Sequence, residues 1–160
     1  MSVLSKARSK VRVAAVAALV GASLTAAVPL AAPAAASTSQ CPSYRFCIWQ
    51  FPDATGLFAY FSEGTSNLGV AFDGQLNDKT SYIWNRDDEP WCVYQHKDEG
   101  GHSMMVPNGK RGSIANIIDP RDGFTWDNRI SSLRPALHIV PPRNPGAAYY
   151  ICIGDYIVWR

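Results

Sequence analysis

The sequence predicts an all-β protein, a small sandwich of two Greek-key motifs followed by a C-terminal β-hairpin, on three observations. First, FCIWQFPDATGLFAYF at residues 46–61 returns as WCVYQHKDEGGHSMMV at residues 91–106. At a constant offset of 45, Phe46 meets Trp91, Cys47 meets Cys92, Trp49 meets Tyr94, Gln50 meets Gln95 and Gly56 meets Gly101. Second, each copy is followed by a polar turn motif, Asn77-Asp78-Lys79-Thr80-Ser81-Tyr82 and Asp127-Asn128-Arg129-Ile130-Ser131-Ser132. Third, short apolar runs bounded by Gly, Pro, Asn and Asp recur throughout, without a long segment of helical period.

The chain starts outside this plan. Lys6, Arg8, Lys10 and Arg12 precede an Ala/Val/Leu-rich run that ends at Ala34-Ala35-Ala36, the pattern of a signal peptide cleaved after Ala36. Gly21 and Pro29 interrupt the run, which argues against a stable membrane anchor, and Thr38-Ser39-Gln40 before Cys41 is unlike a lipidation site. Removing residues 1–36 changes 15 basic and 13 acidic residues to 11 and 13, a net charge of −2. The remainder has no basic stripe to support nucleic-acid binding.

The domain is expected over residues 37–135, with one Greek key at about 41–86 and the second at about 90–135. In the first, strands are expected at 45–50, 57–61 and 81–85, with GTSNLGVAFDGQL as the connection. The second repeats the order at 91–95, 102–106 and 131–134, with a longer connection through Pro107, Pro120 and Trp126 and a helical turn within 113–118. In each hairpin the glycine, Gly56 or Gly101, permits the tight fold, and the strand-end aromatic, Trp49 or Tyr94, is placed to cover it. Residues 136–160 form the extension, with runs 149–153 and 156–159 flanking Gly154-Asp155 as a β-hairpin packed on the sandwich.

All four cysteines lie in the exported part, where an oxidising compartment permits disulfides. Four cysteines allow three pairings. The favoured one joins Cys41 to Cys47 and Cys92 to Cys152, contributing about 2.4 and about 4 kcal/mol in the chain-entropy model before strain.

The two turn motifs offer carboxylates, amide and backbone carbonyl oxygens and hydroxyls, the hard ligands that Ca²⁺ takes. Taken singly, each reads equally as a turn held by side chain to backbone hydrogen bonds. The pairing of the aromatic-x6-Gly hairpin with the turn motif resembles the microbial βγ-crystallin domain. More narrowly, CPSYRFCIWQ, NDKTS and WCVYQH in an exported chain resemble peptidase inhibitor family I36, whose founding member is a secreted actinobacterial inhibitor of metalloproteinases. The resemblance spans 41–134. It implies up to two Ca²⁺ sites formed between the motifs, with Asn77, Asp78, Lys79 and Ser81 in one motif and Asp127, Asn128, Arg129 and Ser131 in the other. The principal ligands so implied are the side chains of Asp78 and Asn128, the carbonyls of Lys79 and Arg129 and the hydroxyls of Ser81 and Ser131. Tyr82 stands where the motif usually has serine.

A secreted monomer with an extracellular protease as partner is the function this resemblance implies, and the Cys41–Cys47 loop and the 107–126 connection are the expected contact segments. Two readings compete with it: a calcium-binding structural or cell-surface module, and an antimicrobial or glycan-binding protein that uses the aromatic tail. Catalysis is not expected. His96, Asp98, Glu99 and His102 straddle one hairpin, their counterparts in the first unit are Phe51, Asp53, Ala54 and Leu57, and neither an HExxH helix nor a nucleophile elbow is present.

Overall fold

The computed structural model describes residues 37–160; the predicted signal peptide lies outside them. Ten strands form: β1 Phe46–Trp49, β2 Phe58–Phe61, β3 Tyr82–Asn85, β4 Trp91–Tyr94, β5 Ser103–Val106, β6 Arg111–Ser113, β7 Ser132–Pro135, β8 Leu137–Ile139, β9 Tyr149–Ile151 and β10 Tyr156–Val158. They build two four-stranded sheets, ordered β2-β1-β3-β6 and β10-β5-β4-β7, and a separate β8-β9 pair. Among the described residues no helix is long and apolar enough to cross a membrane.

The repeated hairpins are β1-β2 and β4-β5, and their registers correspond: Phe46 faces Phe61, and Trp91 faces Val106. The second unit then lends a strand to the first, and the first returns a single bridge. β6, from the second unit, pairs with β3 of the first, and Thr65, from the first unit, bridges Leu133 on β7. These crossings tie the two Greek keys together: the first sheet is incomplete without β6 of the second unit, and the second sheet is bridged at its β7 edge by the first.

Alternation along β1 and β4 explains why all eight of their residues are buried. Phe46, Ile48, Trp91 and Val93 point between the sheets into the main core, together with Phe61, Leu68, Leu76, Ile83, Met104, Val106, Ile114, Trp126, Ile130 and Leu133. Phe46 stacks on Trp91, its own counterpart in the repeat, at 4.8 Å between ring centroids. The outward residues are covered separately. Cys47 and Trp49 pack with Cys41 and Ala54 and the partly buried Phe58, Tyr82 and Trp84, while Cys92 and Tyr94 pack with Met105, Ala136 and Cys152. The disulfides, Cys41–Cys47 and Cys92–Cys152, each sit in one of these outer clusters.

The C-terminal segment differs from the expected 149–153/156–159 hairpin. β9 pairs with β8, and β10 leaves it to run parallel to β5, with Ile157 opposite Met104. The physical reason is the open edge of β5, whose backbone groups find partners in β10 and in the amide of Trp159, which donates to the Met105 carbonyl at 2.9 Å. Tyr94 reinforces the crossing, because its hydroxyl accepts the Ile153 amide at 3.2 Å, and burial pushes its phenol pKa upward. In the second connection a single turn closes from the Ile117 amide to the Ile114 carbonyl, immediately after β6.

The hairpin glycines are enclosed by a different neighbour from the expected one. At Gly56, with φ +79°, an added Cβ would stand 2.7 Å from the Phe51 ring, and at Gly101, with φ +74°, it would stand 2.8 Å from the His96 ring. Phe51 and His96 are counterparts at offset 45, so His96 belongs to the shared plan after all. Trp49 instead packs against Phe58 and Tyr82 at 4.9 and 5.5 Å.

Candidate functional site

The two turn motifs meet across a local two-fold. Leu76 and Trp126, immediately before or at the head of each motif, are buried and fix where the turns begin. Asp78 and Asn128 then take left-handed backbone, φ 51° and 55°, which Asp and Asn tolerate better than most residues. That reversal lets the turns bond each other: the Asp78 amide donates to the Ile130 carbonyl and the Asn128 amide to the Thr80 carbonyl, both at 3.0 Å. Each serine amide is tied to a repeated strand end, Ser81 to the Trp49 carbonyl and Ser131 to the Tyr94 carbonyl.

The side chains also cross between motifs. Ser131 Oγ lies 2.7 Å from Asp78 Oδ1 and 2.8 Å from the Gln95 carbonyl oxygen. Ser81 Oγ donates to Asp127 Oδ1. Asn77 Nδ2 holds the second oxygen of Asp78 at 2.8 Å, and Asn128 Nδ2 holds that of Asp127 at 3.1 Å. The two halves are therefore unequal: Ser131 faces the second residue of the opposite motif, whereas Ser81 faces the first. An open cleft of about 460 Å³ borders the Ser81 half, lined by Gln50, Phe51, Asp78, Lys79, Asp127 and Asn128 among others.

Three oxygens of different residues thus converge at Ser131: a carboxylate, a hydroxyl and a backbone carbonyl. All are donors that a hard divalent cation takes. Arg129 does not crowd them, since its guanidinium is turned to Asp122 and the Thr125 carbonyl. Gln95 was missing from the sequence-derived set. Its signal was present, because Gln50 and Gln95 recur at the same place in both repeats, and only the backbone crossing shows that a carbonyl there reaches the opposite turn.

A second polar cluster lies in the 107–126 connection. His102 is half-buried, with Nδ1 at 3.0 Å from Asp119 Oδ2 and 3.6 Å from Asp122 Oδ2, and the three ligand atoms fall within 4.8 Å of one another. Of the two hairpin histidines, His102 is thus drawn into this cluster, while His96 is exposed. Asp119 is fully buried and receives Arg121 through Nε and Nη2, each at 2.7 Å, and through the Arg121 amide at 3.0 Å. Burial pushes the Asp119 carboxyl up, but the Arg121 hydrogen bonds and charge, with the His102 contact, hold it below the ordinary carboxylate value. The Arg129 hydrogen bond and the Phe124 amide bring Asp122 down to about 2. Two arginines already neutralise these carboxylates, so the cluster is a structural knot rather than a cation cradle. Arg121 extends it to the tail by donating to the Ser103 and Asp155 carbonyls.

Three solved structures resemble this chain. A βγ-crystallin from Ciona intestinalis is 18% identical with a TM-score of 0.45, covering 57% of this chain and 98% of its own. A βγ-crystallin from an archaeon is 22% identical with a TM-score of 0.46, covering 59% and 99%. The N-terminal domain of Protein S is 16% identical with a TM-score of 0.44, covering 57% and 93%. The strand order and crossings described above carry the fold assignment by themselves. No curated protein matches the sequence. Residues 34–106, a little under half of the chain, match the family model described as peptidase inhibitor family I36, and that similarity points to an inhibitor of peptidases rather than to an enzyme.

Proposed function

We propose that the protein is a secreted, monomeric inhibitor of an extracellular peptidase, with metalloproteinases as the first class to test, and that its scaffold binds calcium. The observation that carries the inhibitor reading is the family match over residues 34–106, which takes in both repeated hairpins and the first turn motif. On this reading residues 1–36 are the leader, 37–135 the inhibitory domain and 136–160 an extension that completes the second sheet. Two buried disulfides and the crossing of β6 into the first sheet support it physically, because a rigid surface loses little conformational entropy when a protease closes on it.

The calcium reading rests on the oxygens gathered at Ser131. Asp78, Ser131 and the Gln95 carbonyl would hold one ion, and Asp127, Ser81 and the carbonyls of the facing turn are the donor set for a second. A bound ion would supply positive charge that cross-links the two motifs, taking the place of the Ser131 to Asp78 hydrogen bond. A calcium-binding module without inhibitory activity is the second reading, favoured by the same oxygens.

Titration of the purified protein against thermolysin-like, subtilisin-like and papain-like peptidases tests inhibition, and no loss of peptidase activity at micromolar protein would end that reading. Thermal melting in millimolar CaCl₂ and in chelator tests the metal, since a ligand of the folded state alone raises the melting temperature. Identical melts would end the calcium reading and leave inhibition standing.

A further inference from the structure

The connection between β2 and β3 contains an unusual loop at residues 69–75. Leu68 and Leu76 bracket it and are both buried in the main core. The Asn67 side chain accepts the Gly69 amide at 2.8 Å, the Leu68 amide is fixed to the Ser131 carbonyl at 2.8 Å, and Gly74 comes so close to Gly69 that an added Cβ would stand 2.9 Å from its carbonyl oxygen. The loop is thereby closed on itself and held at both ends.

Between those anchors the backbone is left-handed at three successive residues: Phe72 at φ 52°, Asp73 at 55° and Gly74 at 70°. For a bulky aromatic this conformation is an outlier. Among the described residues no side-chain hydrogen bond holds Asp73 to compensate. Nor does burial: Phe72 is 52% exposed and Val70 76% exposed. The Phe72 ring meets Phe61 edge to face at 5.7 Å and forms a wall shared by two shallow apolar clefts, one lined with Leu57 and Phe58 and the other with Phe58 and Tyr60. The Gln75 amide donates to the Phe72 carbonyl and the Asn77 amide to the Gly74 carbonyl, both at 3.2 Å, which holds the turn in place, and backbone outliers held in this way cluster at ligand-contacting segments.

We propose that this loop is the peptidase-contacting element, inserting Phe72, with Val70 beside it, into a specificity pocket that accepts a large apolar side chain. The inference rests on the inhibitor reading and names its contact surface. The peptidase is the occupant because the loop lies inside the segment that matches the inhibitor family, whereas the 107–126 connection, although it exposes Ile118 and Phe124, lies beyond residue 106. The Cys41–Cys47 loop also lies inside the match and exposes Tyr44. It is pinned along its length by Arg86, however, whose side chain bonds the Cys41 carbonyl and Ser43 Oγ and whose backbone exchanges hydrogen bonds with Tyr44 and Arg45. Tyr44 shares the left-handed backbone, φ 59°, and is exposed, but it is a single aromatic flanked by the Arg45 and Arg86 guanidinium groups, where residues 69–75 offer two apolar side chains and an apolar surround.

The left-handed turn also defines how the loop acts. Peptide recognition by strand addition needs an extended chain, which three left-handed residues do not supply without unravelling the anchored loop. The side chains plug the pocket while the backbone is withheld from the scissile position, so the loop is not consumed.

Phe72→Gly is the decisive variant, since glycine accepts the observed φ without strain and the fold should survive. Against whichever peptidase the wild type inhibits, the inhibition constant should rise at least tenfold for Phe72→Gly and for Val70→Asp, while Tyr44→Ala stays within twofold of wild type. Mass spectrometry of the recovered inhibitor should find residues 69–75 intact. An inhibition constant within twofold of wild type for Phe72→Gly, with the wild type active, overturns the assignment and leaves the inhibitor reading in place; cleavage within the loop overturns the plug. Loss of a dimer in size-exclusion chromatography for Phe72→Gly, without loss of inhibition, reassigns the patch to self-association and likewise overturns it. A wild type that inhibits no peptidase removes both readings together.

Discussion

Asp119→Asn should be the most informative substitution for the architecture. The carboxylate is fully buried, receives Arg121 through two side-chain nitrogens and one amide, and also meets His102 Nδ1 and, at 3.4 Å, Gln95 Nε2. Asparagine keeps the shape but removes the charge and presents an amide where Arg121 donates. Breaking one partner out of a buried ion pair costs about 3–5 kcal/mol. Arg121 is 22% exposed and can recover some water, so a loss of about 2–3 kcal/mol is expected. For a domain of this size that lowers the melting temperature by roughly 10 °C. Urea denaturation with an unchanged m-value is the assay. The substitution should also alter the pH dependence. Because the folded carboxyl is held below its ordinary value of 3.8, its stabilisation is fully present above that value and is lost as pH falls through the lower, folded one. The variant's stability should therefore fall less steeply below pH 4 than the wild type's. A loss under about 1 kcal/mol, or an identical acid limb, would refute Asp119 as the charged centre of the knot.

Two further outcomes follow from the packing. Replacing Cys92 and Cys152 together by serine removes a cross-link spanning 60 residues and should cost about 4 kcal/mol in the chain-entropy model; urea midpoints measure it, and an unchanged midpoint would mean that β10 pairing alone holds the tail. Gly56→Ala and Gly109→Ala share a positive φ, but a Cβ meets Phe51 at 2.7 Å at the first and nothing within 4 Å at the second. Gly109→Ala should lose about 1–2 kcal/mol from the backbone alone, Gly56→Ala measurably more, and equal losses would refute the ring contact as a constraint.

The repeat at offset 45 made the architecture legible because it fixes local hydrogen bonding as well as composition. The Gln50 amide reaches the Leu57 carbonyl and the Gln95 amide the His102 carbonyl, the same closure in both copies. What it left out is long-range. Nothing in the sequence of Arg111–Ser113 distinguishes pairing within its own unit from pairing with β3, and the choice is made by the sheet edge that lies within reach. The tail was misread for a similar reason: Gly154-Asp155 is a good turn, but a turn signal specifies a reversal and not which strand receives the next residues. In the structure the free edge of β5 takes β10.

The same distinction separates the two candidate sites. The paired turns are written in residue types, because Asp, Asn and Ser have few reasons to recur together except to bond one another or an ion. Their crossing, Ser131 to Asp78 and Ser81 to Asp127, then depends only on two Greek keys facing each other. The loop at 69–75 is written in conformation. Val70, Phe72 and Asp73 are ordinary in a connection, and their significance lies in a left-handed backbone that costs of order 1–3 kcal/mol at each non-glycine residue. Its glycines, Gly69 and Gly74, flank the strain without absorbing it at Phe72. Left-handed backbone also occurs at Asp78 and Asn128, where the paired turns bond each other, whereas at Phe72 it falls on an exposed aromatic; stability and recognition are thereby placed in different parts of the chain. Substitutions at the paired turns should accordingly change melting more than inhibition, and substitutions at Phe72 should do the reverse.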